Sequence, residues 1–458
     1  MKKSNVNMLS GSITKGLLAL TMPIMIMNVM QSLFNIIDMT VLEVFSDDRA
    51  VGAVGVSGSI ITLCTSLLIG VSVGANVVVA KRIGLGDKDR INKAVMTAIS
   101  FSVVGGLILM LIGSVFAETF LRMMNCPNEI LPKATSYFKI YFYGVPFSMV
   151  YNFCASILRA TGDTKKPMYF IILGGIIKVV FTVVFVAKFN MNVEGVGIAT
   201  CISSLVISIL AFSAVMKNKE IHIDFKKMRF YASEIKEMLF IGIPSGCQSA
   251  MYSFANLVIV KTVNSFGADA ATGVSIANQF DGLMYHIIIA PSLATTPYVA
   301  QNIGAGNIDR VKKTVIRAIM ITTAFGVTFG SLSAIFSAEL SSIMSTTPAV
   351  IKYSQQKMII VSSTYFLNGI NQIMGGVLNG LGKPIIPTIS MIVFMCLIRF
   401  PWVYFIFPLC PNLTFLYLIW PIGWLLSTTT LLIAYFPAIS KLQIKLSEKK
   451  RVVEKAGL

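Results

Sequence analysis

Five ionisable side chains stand out within apolar stretches of this 458-residue chain. Asp38 lies in "FNIIDMTVLEVF", Lys178 in "GGIIKVVF", Asp281 and His286 in "NQFDGLMYHIII", and Arg399 in "CLIRFPWVYF". On insertion scales a charged group near the middle of a membrane helix costs roughly 2.5–3.5 kcal/mol. Each is therefore expected to face a bundle interior or a wet cavity and to have a partner. Acids and bases at that depth offer reversible chemistry: a proton or cation taken up in one state and released in another, or an ion pair that fixes two helices. Covalent chemistry has no visible support. The chain has two histidines and no HExxH, P-loop or Ser/His/Asp constellation. No enzyme, resident metal or cofactor is expected.

The elements that must hold these groups follow from composition. Hydrophobic residues make up 55% and charged residues 13%, with a mean hydropathy of +0.77. That is too little charge to wrap soluble cores. Stretches such as Ala98–Ala117 and Gly195–Met216 carry no ionisable side chain, enough as helix to cross about 30 Å of hydrocarbon. The short alternating segments of a membrane barrel are absent from the sequence. The reading is an all-α polytopic membrane protein of twelve transmembrane helices. The predicted spans are 15–42, 51–80, 94–117, 133–158, 167–187, 195–216, 237–262, 270–300, 314–338, 350–379, 385–408 and 413–440. The basic N-terminus runs straight into the first span with no small-residue cleavage site, so that span is read as uncleaved.

Loop charge sets the orientation. "KRIGLGDKDRINK", "RATGDTKK", "MKNKEIHIDFKKMRF", "RVKKTVIR" and the tail "KLQIKLSEKKRVVEK" alternate with "FSDDR", "MNCPNE", "NMNVEG", "SFGADA", "STTP" and "LCPN". The positive-inside rule then places both termini in the cytoplasm of a cell-membrane protein. The net charge of +18 is accounted for by topology and by contact with anionic lipid headgroups, which removes the case for a nucleic-acid partner. Seven cysteines form no CxxC pair. Cys126 and Cys410 both fall in outside loops, within "CPN", and their spacing leaves open whether they pair.

The chain is doubled. At an offset of 220, Ile83, Gly84, Gly86, Asp89, Arg90, Lys93 and Val95 of "AKRIGLGDKDRINKAV" meet identical residues of "AQNIGAGNIDRVKKTV". Leu158, Gly162 and Pro167 meet Leu378, Gly382 and Pro387. At 221, Pro23, Met30, Ser32 and Asn35 meet Pro244, Met251, Ser253 and Asn256. This is an internal repeat with six spans in each half, so the two pseudo-symmetric lobes run parallel. The expected boundaries are an N-lobe at 1–216, a cytoplasmic linker at 217–236, a C-lobe at 237–440 and a basic tail at 441–458. Two six-helix lobes suit an alternating-access transporter, for which a monomer suffices.

The lobes differ in their charges. Lys178 aligns with Arg399 and Asn35 with Asn256, but Asp38 aligns with Ile259. Asp38 reads either as a structural partner of Lys178 or as a group that binds a cation or proton and changes occupancy during transport. Asn35, beside it, joins the N-lobe candidates. Asp281, Arg399, Asn256 and His286 are the C-lobe cavity candidates. His286 lies five residues beyond Asp281, about 140° round a helix, and reads as a hydrogen-bonded structural residue. Trp402, Tyr404 and Trp420 read as surface aromatics or as a stacking face for an organic cation.

Together, "NIIDMTVL", the paired "RIGLGDKDRI" and "NIGAGNIDRV" loops, and "ILRATGDTKKP" with "VLNGLGKPIIP" resemble the multidrug and toxin extrusion (MATE) family over nearly the whole chain. The resemblance implies two six-helix bundles that export organic cations, dyes or antibiotics, small drug-like molecules, in exchange for H⁺ or Na⁺. It gives Asp38 the role of the first-helix aspartate tied to cation binding. The family's fifth-helix Asn and the Asp four residues later fall at Lys178 and Thr182, and a seventh-helix Glu falls at Tyr252. An ammonium at position 178 repels Na⁺ at close range, which favours H⁺ as the coupling ion. A flippase for lipid-linked oligosaccharides or peptidoglycan precursors, of related architecture, is the alternative, kept open by Lys178 and Arg399.

Overall fold

The computed structural model describes residues 6–46, 48–124, 126–218, 220–221 and 230–455, and its secondary structure among them is helical throughout. The elements are α1 (Ile13–Phe45), α2 (Asp48–Leu85), α3 (Lys88–Val115), α4 (Ala117–Met123), α5 (Leu131–Ala160), α6 (Lys165–Val183) and α7 (Asn192–Met216). They continue as α8 (Ala232–Asn264), α9 (Ala268–Gly304), α10 (Ile308–Ile335), α11 (Ser337–Met344), α12 (Pro348–Ser363) and α13 (Tyr365–Gly380). Last come α14 (Ile385–Met391), α15 (Arg399–Pro401), α16 (Leu413–Tyr417) and α17 (Ile419–Lys455). Taken as rods these are twelve, one for each predicted span. The fifth rod is α6 with a π turn at Val184–Lys188, the tenth is α12 with α13, the eleventh runs from α14 to Leu409, and the twelfth is α16 with α17. Among the described residues, eight of them are apolar and long enough to cross a membrane by length and composition.

Some ends differ from the sequence expectation. Spans three and nine stop at Val115 and Ile335, where Phe116 and Phe336 leave helical geometry and start the short helices α4 and α11. Hydropathy runs on through those corners because the turn itself is apolar. The tenth rod breaks at Thr364. The eleventh carries π turns at Ile392–Leu397 and Trp402–Ile406, on either side of Arg399. The tail expected from residue 441 is helical through Lys455 as a continuation of α17, as its Lys, Glu and Leu content favours.

The repeat is visible in the backbone. Gly86 and Gly306 hold φ of 72° and 73°, and Gly162 and Gly382 hold 81° and 71°. These are left-handed positions that L side chains resist, and each pair is separated by the same 220 residues found in the sequence.

The described residues divide into two compact units. One holds Val6 and Met22–Gly246, the other Asn7–Thr21 and Cys247–Leu458. Within the first, α5 packs on α2, α3 and α7, and α6 lies on α7, around a core that includes Leu42, Phe138, Phe142 and Val186. Within the second, α9 packs on α10, α12 and α13, and α17 lies on α13, around Ile288, Tyr365, Tyr417 and Trp424. Chain division falls inside α1 and α8, close to Pro23 and Pro244, the repeat-matched prolines that each remove a helix hydrogen bond.

The first half of α8 belongs to the first unit and lies against α2 backbone to backbone. A Cβ on Gly74 would meet the Met238 carbonyl oxygen at 2.1 Å, one on Gly70 the Gly246 nitrogen at 2.3 Å, and one on Gly242 the Val71 Cα at 2.3 Å. Small residues four apart on both helices permit this approach. At one end of the contact Arg82 Nη2 donates to Glu237 Oε2 at 2.6 Å and Arg82 Nε to Glu234 Oε2 at 3.2 Å, while Lys81 Nζ donates to Glu237 Oε1 at 2.6 Å.

Candidate functional site

The first unit places all four N-lobe candidates in one cluster. Asn35 and Asp38 sit one turn apart on α1, and Lys178 and Thr182 one turn apart on α6, so each pair shares a helix face. The two helices come close because Phe34 lies over Gly175, where a Cβ would fall 1.8 Å from the ring. Any side chain at Gly175 would push Asp38 away from α6. With hydrogen there, Lys178 Nζ forms an ion pair with Asp38 Oδ2. Lys178 Nζ also donates to Asn35 Oδ1 at 3.4 Å, and Thr182 Oγ1 donates to Asp38 Oδ1 at 3.2 Å. The Asp38 and Lys178 side chains are 8% and 16% exposed, so the pair is mostly withdrawn from solvent. Both carboxylate oxygens are engaged, and the ammonium stands where a cation held by Asp38 and Asn35 would stand.

The second unit repeats half of this arrangement. Arg399 Nη1 donates to Asn256 Oδ1, which reproduces the Lys178–Asn35 contact at an offset of 221. The carboxylate is missing from the copy, since its place is held by the buried Ile259. Arg399 instead lies over the Trp420 ring, 5.5 Å from its centroid, and Trp420 aligns with Ala199 at the same offset. A second cation reaches that ring: Lys357 Nζ is 5.4 Å from the centroid. Such contacts strengthen when desolvated, and Lys357 and Arg399 are only 1% and 3% exposed.

Asp281 pairs with Lys357. Its Oδ2 accepts from Lys357 Nζ at 2.6 Å, Lys357 also donates to Asn278, and Tyr365 Oη donates to the Asp281 carbonyl at 3.0 Å. Lys357 and Asn278 are the residues that sequence reasoning missed. The available signal was a lysine nine residues into the tenth helical rod, with Asn278 three residues before Asp281 on one face of α9. Counting formal charges, the N-lobe cluster of Asp38 and Lys178 is neutral, whereas the C-lobe cluster of Asp281, Lys357 and Arg399 carries one positive charge in excess.

The remaining candidates fall elsewhere. His286 is half-buried beside Tyr285, with ring centroids 6.1 Å apart. The Tyr252 side chain lies outside the described residues. Trp402 is buried and stacks on Phe415 at 5.3 Å, while Tyr404 is exposed. Cys126 and Cys410 are both free thiols. Among the described residues no three His, Cys, Asp or Glu side chains gather as a metal site would require.

Twelve helical rods in two repeat-related units, each with ionisable groups bonded inside it, define a duplicated polytopic membrane protein. Residues 23–184 and 244–405 match the MatE family, and the chain belongs to that family of membrane transporters. It is 27% identical over 395 residues to the probable multidrug resistance protein NorM of Thermotoga maritima, covering 85% of this chain and 84% of that protein. It is 25% identical over 390 residues to the probable multidrug resistance protein YoeA of Bacillus subtilis, covering 83% and 84%. An outward-facing multidrug resistance MATE family transporter of the MOP superfamily shares the fold with a TM-score of 0.90 at 18% identity, covering 97% of this chain and 99% of that one.

Proposed function

We propose that this protein is a multidrug exporter of the cell membrane, with both termini cytoplasmic, that works by alternating access and exchanges amphipathic, drug-like molecules for H⁺. The observation that carries this reading is the Asp38–Lys178 pair with Asn35 and Thr182 around it. In this arrangement the ammonium neutralises the carboxylate. A proton on Asp38 would release Lys178, and a bound organic cation would compete with it. Either event changes the interactions that hold α1 to α6, and only a ligand that binds two states unequally can shift the balance between them. Na⁺ fits less well, since Lys178 occupies the oxygens that would hold it. The names of the Thermotoga maritima and Bacillus subtilis relatives agree with drug export.

The test is efflux of a fluorescent organic cation from proteoliposomes under a pH gradient or a Na⁺ gradient, with wild type beside Asp38→Asn. Transport driven by the pH gradient and lost in the variant is the expected result. Transport driven by Na⁺ alone would overturn the role given to Lys178. A second reading, flipping of a lipid-linked oligosaccharide or peptidoglycan precursor, is favoured by the excess positive charge of the Asp281–Lys357–Arg399 cluster. It predicts no cation transport under either gradient.

A further inference from the structure

The repeated loop between the second and third rods, and between the eighth and ninth, has diverged in charge. In the first copy Arg90 and Lys93 are neutralised locally. Arg90 Nε pairs with Asp87 Oδ2 at 3.3 Å, Lys93 Nζ pairs with Asp89 Oδ2 at 2.5 Å, and Lys93 also lies over the Tyr231 ring. In the second copy Asn307 stands in place of Asp87, and Arg317 in place of Thr97. Arg310, the mate of Arg90, donates to the carbonyl oxygens of Met8, Ser10 and Gly11 and to Tyr298 Oη, at 2.8–3.0 Å. Those acceptors are neutral, so they fix the guanidinium without cancelling its charge. Asp309 is the one carboxylate of this copy and is exposed; among the described residues no ion pair joins it to Lys313 as Asp89 joins Lys93.

Two adjoining clefts of about 490 and 540 Å³ open at this place, and both are lined by Arg310 and Lys313. The first is also lined by Asp309 and by Gln443 of α17, and the second by the chain entering α1. Along α10 the second cleft presents Lys313, Ile316, Arg317 and Met320, spaced i, i+3, i+4 and i+7 on one helix face. Ile316 and Met320 are each 55% exposed, and Arg317 extends along the helix to within 3.9 Å of Met320 Sδ. Beyond this face α10 continues as one of the apolar membrane spans.

A soluble anion would use the cations and leave the apolar pair idle, and a zwitterionic lipid would leave the positive excess uncancelled. From this we infer that the Arg310–Lys313–Arg317 cleft binds the phosphate of an anionic phospholipid, with Ile316 and Met320 carrying the start of an acyl chain. Lys313 and Arg317 meet the phosphate. Arg310, held by the N-terminal segment, adds fixed positive potential and ties residues 8–11 to the same place.

The test titrates purified full-length transporter in detergent with fluorescent short-chain phosphatidylglycerol, using phosphatidylcholine of equal chain length as the comparison probe. At about 1 kcal/mol for each cation near an anionic lipid surface, Lys313→Gln with Arg317→Gln should weaken phosphatidylglycerol binding about 30-fold. Lys93→Gln, in the other copy, should leave it unchanged. Ile316→Ser with Met320→Ser tests the acyl contact through different residues, and should weaken binding without introducing preference for phosphatidylcholine. Inorganic phosphate should fail to displace the probe. Equal binding of both lipids, equal loss in Lys93→Gln, or retention by the charge variant would each overturn the inference. Displacement by inorganic phosphate would reassign the cleft to a soluble anion.

Discussion

Neutralising one partner of the N-lobe ion pair should cost far more than neutralising both. Asp38 and Lys178 touch, with side chains 8% and 16% exposed. Opposite charges about 4 Å apart attract by about 4 kcal/mol at an effective dielectric constant of about 20. Asp38→Asn keeps an oxygen for the Thr182 hydroxyl, so the substitution removes little besides charge. It leaves the ammonium uncompensated, for which losses run at about 3–5 kcal/mol when the pair is fully buried. The residual exposure of Lys178 brings the expectation to about 3 kcal/mol, and Lys178→Gln should cost a similar amount by stranding the carboxylate. In the double variant an amide faces an amide and no charge is stranded, so the two effects should fall short of additivity by at least about 2 kcal/mol. Unfolding of the four purified proteins in mixed micelles, followed by tryptophan fluorescence, closes the cycle. Strict additivity would falsify the claim that the pair holds α1 to α6. Restored stability with pH-driven efflux still absent in the double variant would separate the structural contribution from the transport role proposed for Asp38.

Three further outcomes follow from the geometry. Gly74→Leu should prevent recovery of monodisperse protein, because its Cβ would lie 2.1 Å from the Met238 carbonyl oxygen; Gly58→Ala, whose Cβ meets nothing within 4 Å, should be neutral or stabilising by up to about 1 kcal/mol. Size-exclusion profiles that fail to distinguish the two would refute the close α2–α8 contact. Lys357→Met should destabilise the second unit by about 3 kcal/mol by stranding Asp281, whose side chain is 17% exposed, with much of the loss recovered on adding Asp281→Asn, as read by the same unfolding assay. Cys410 is exposed, whereas burial pushes the Cys126 thiol up, so at neutral pH a maleimide should label Cys410 well before Cys126. Raising the pH should narrow the gap, since it increases the thiolate fraction of Cys126. Labelling of Cys410 only after reduction would mean that it is held in a disulfide.

The rods were legible because apolar runs of about twenty residues and basic loops between them report length and sidedness directly. The doubling was legible from identities at a fixed offset, and the matched left-handed glycines are its structural form. The corners at Phe116 and Phe336 were not, because an apolar turn looks like more span. Nor were the π turns around Arg399, since an extra backbone residue per turn leaves no mark on average hydropathy. At the site, Asp38 and Lys178 stood out as an acid and a base set in apolar runs of the first lobe, and Asn35 followed from the repeat. Thr182 entered only through the family resemblance. Lys357 was missed because its meaning lies on another helix: it sits in a polar stretch of α12, and Asp281, Asn278 and Trp420 come to it from α9 and α17. Arg399 carried enough signal to be noticed, but its contacts with Asn256 and Trp420 come from other helices and left no signal in its own stretch.

A gene encoding only six of these helices would have made two identical chains, and two-fold symmetry would have forced every residue to appear twice. The Asn35–Lys178 and Asn256–Arg399 contacts are compatible with that origin, since both halves keep an amide beside a base. Asp38 opposite Ile259, and Trp420 opposite Ala199, are not. Those differences require two copies that vary independently, since in a chain used twice any change of codon would appear in both halves. A single first-helix carboxylate, rather than an obligatory pair, is open only to halves that are encoded separately, as the two halves of this one chain are.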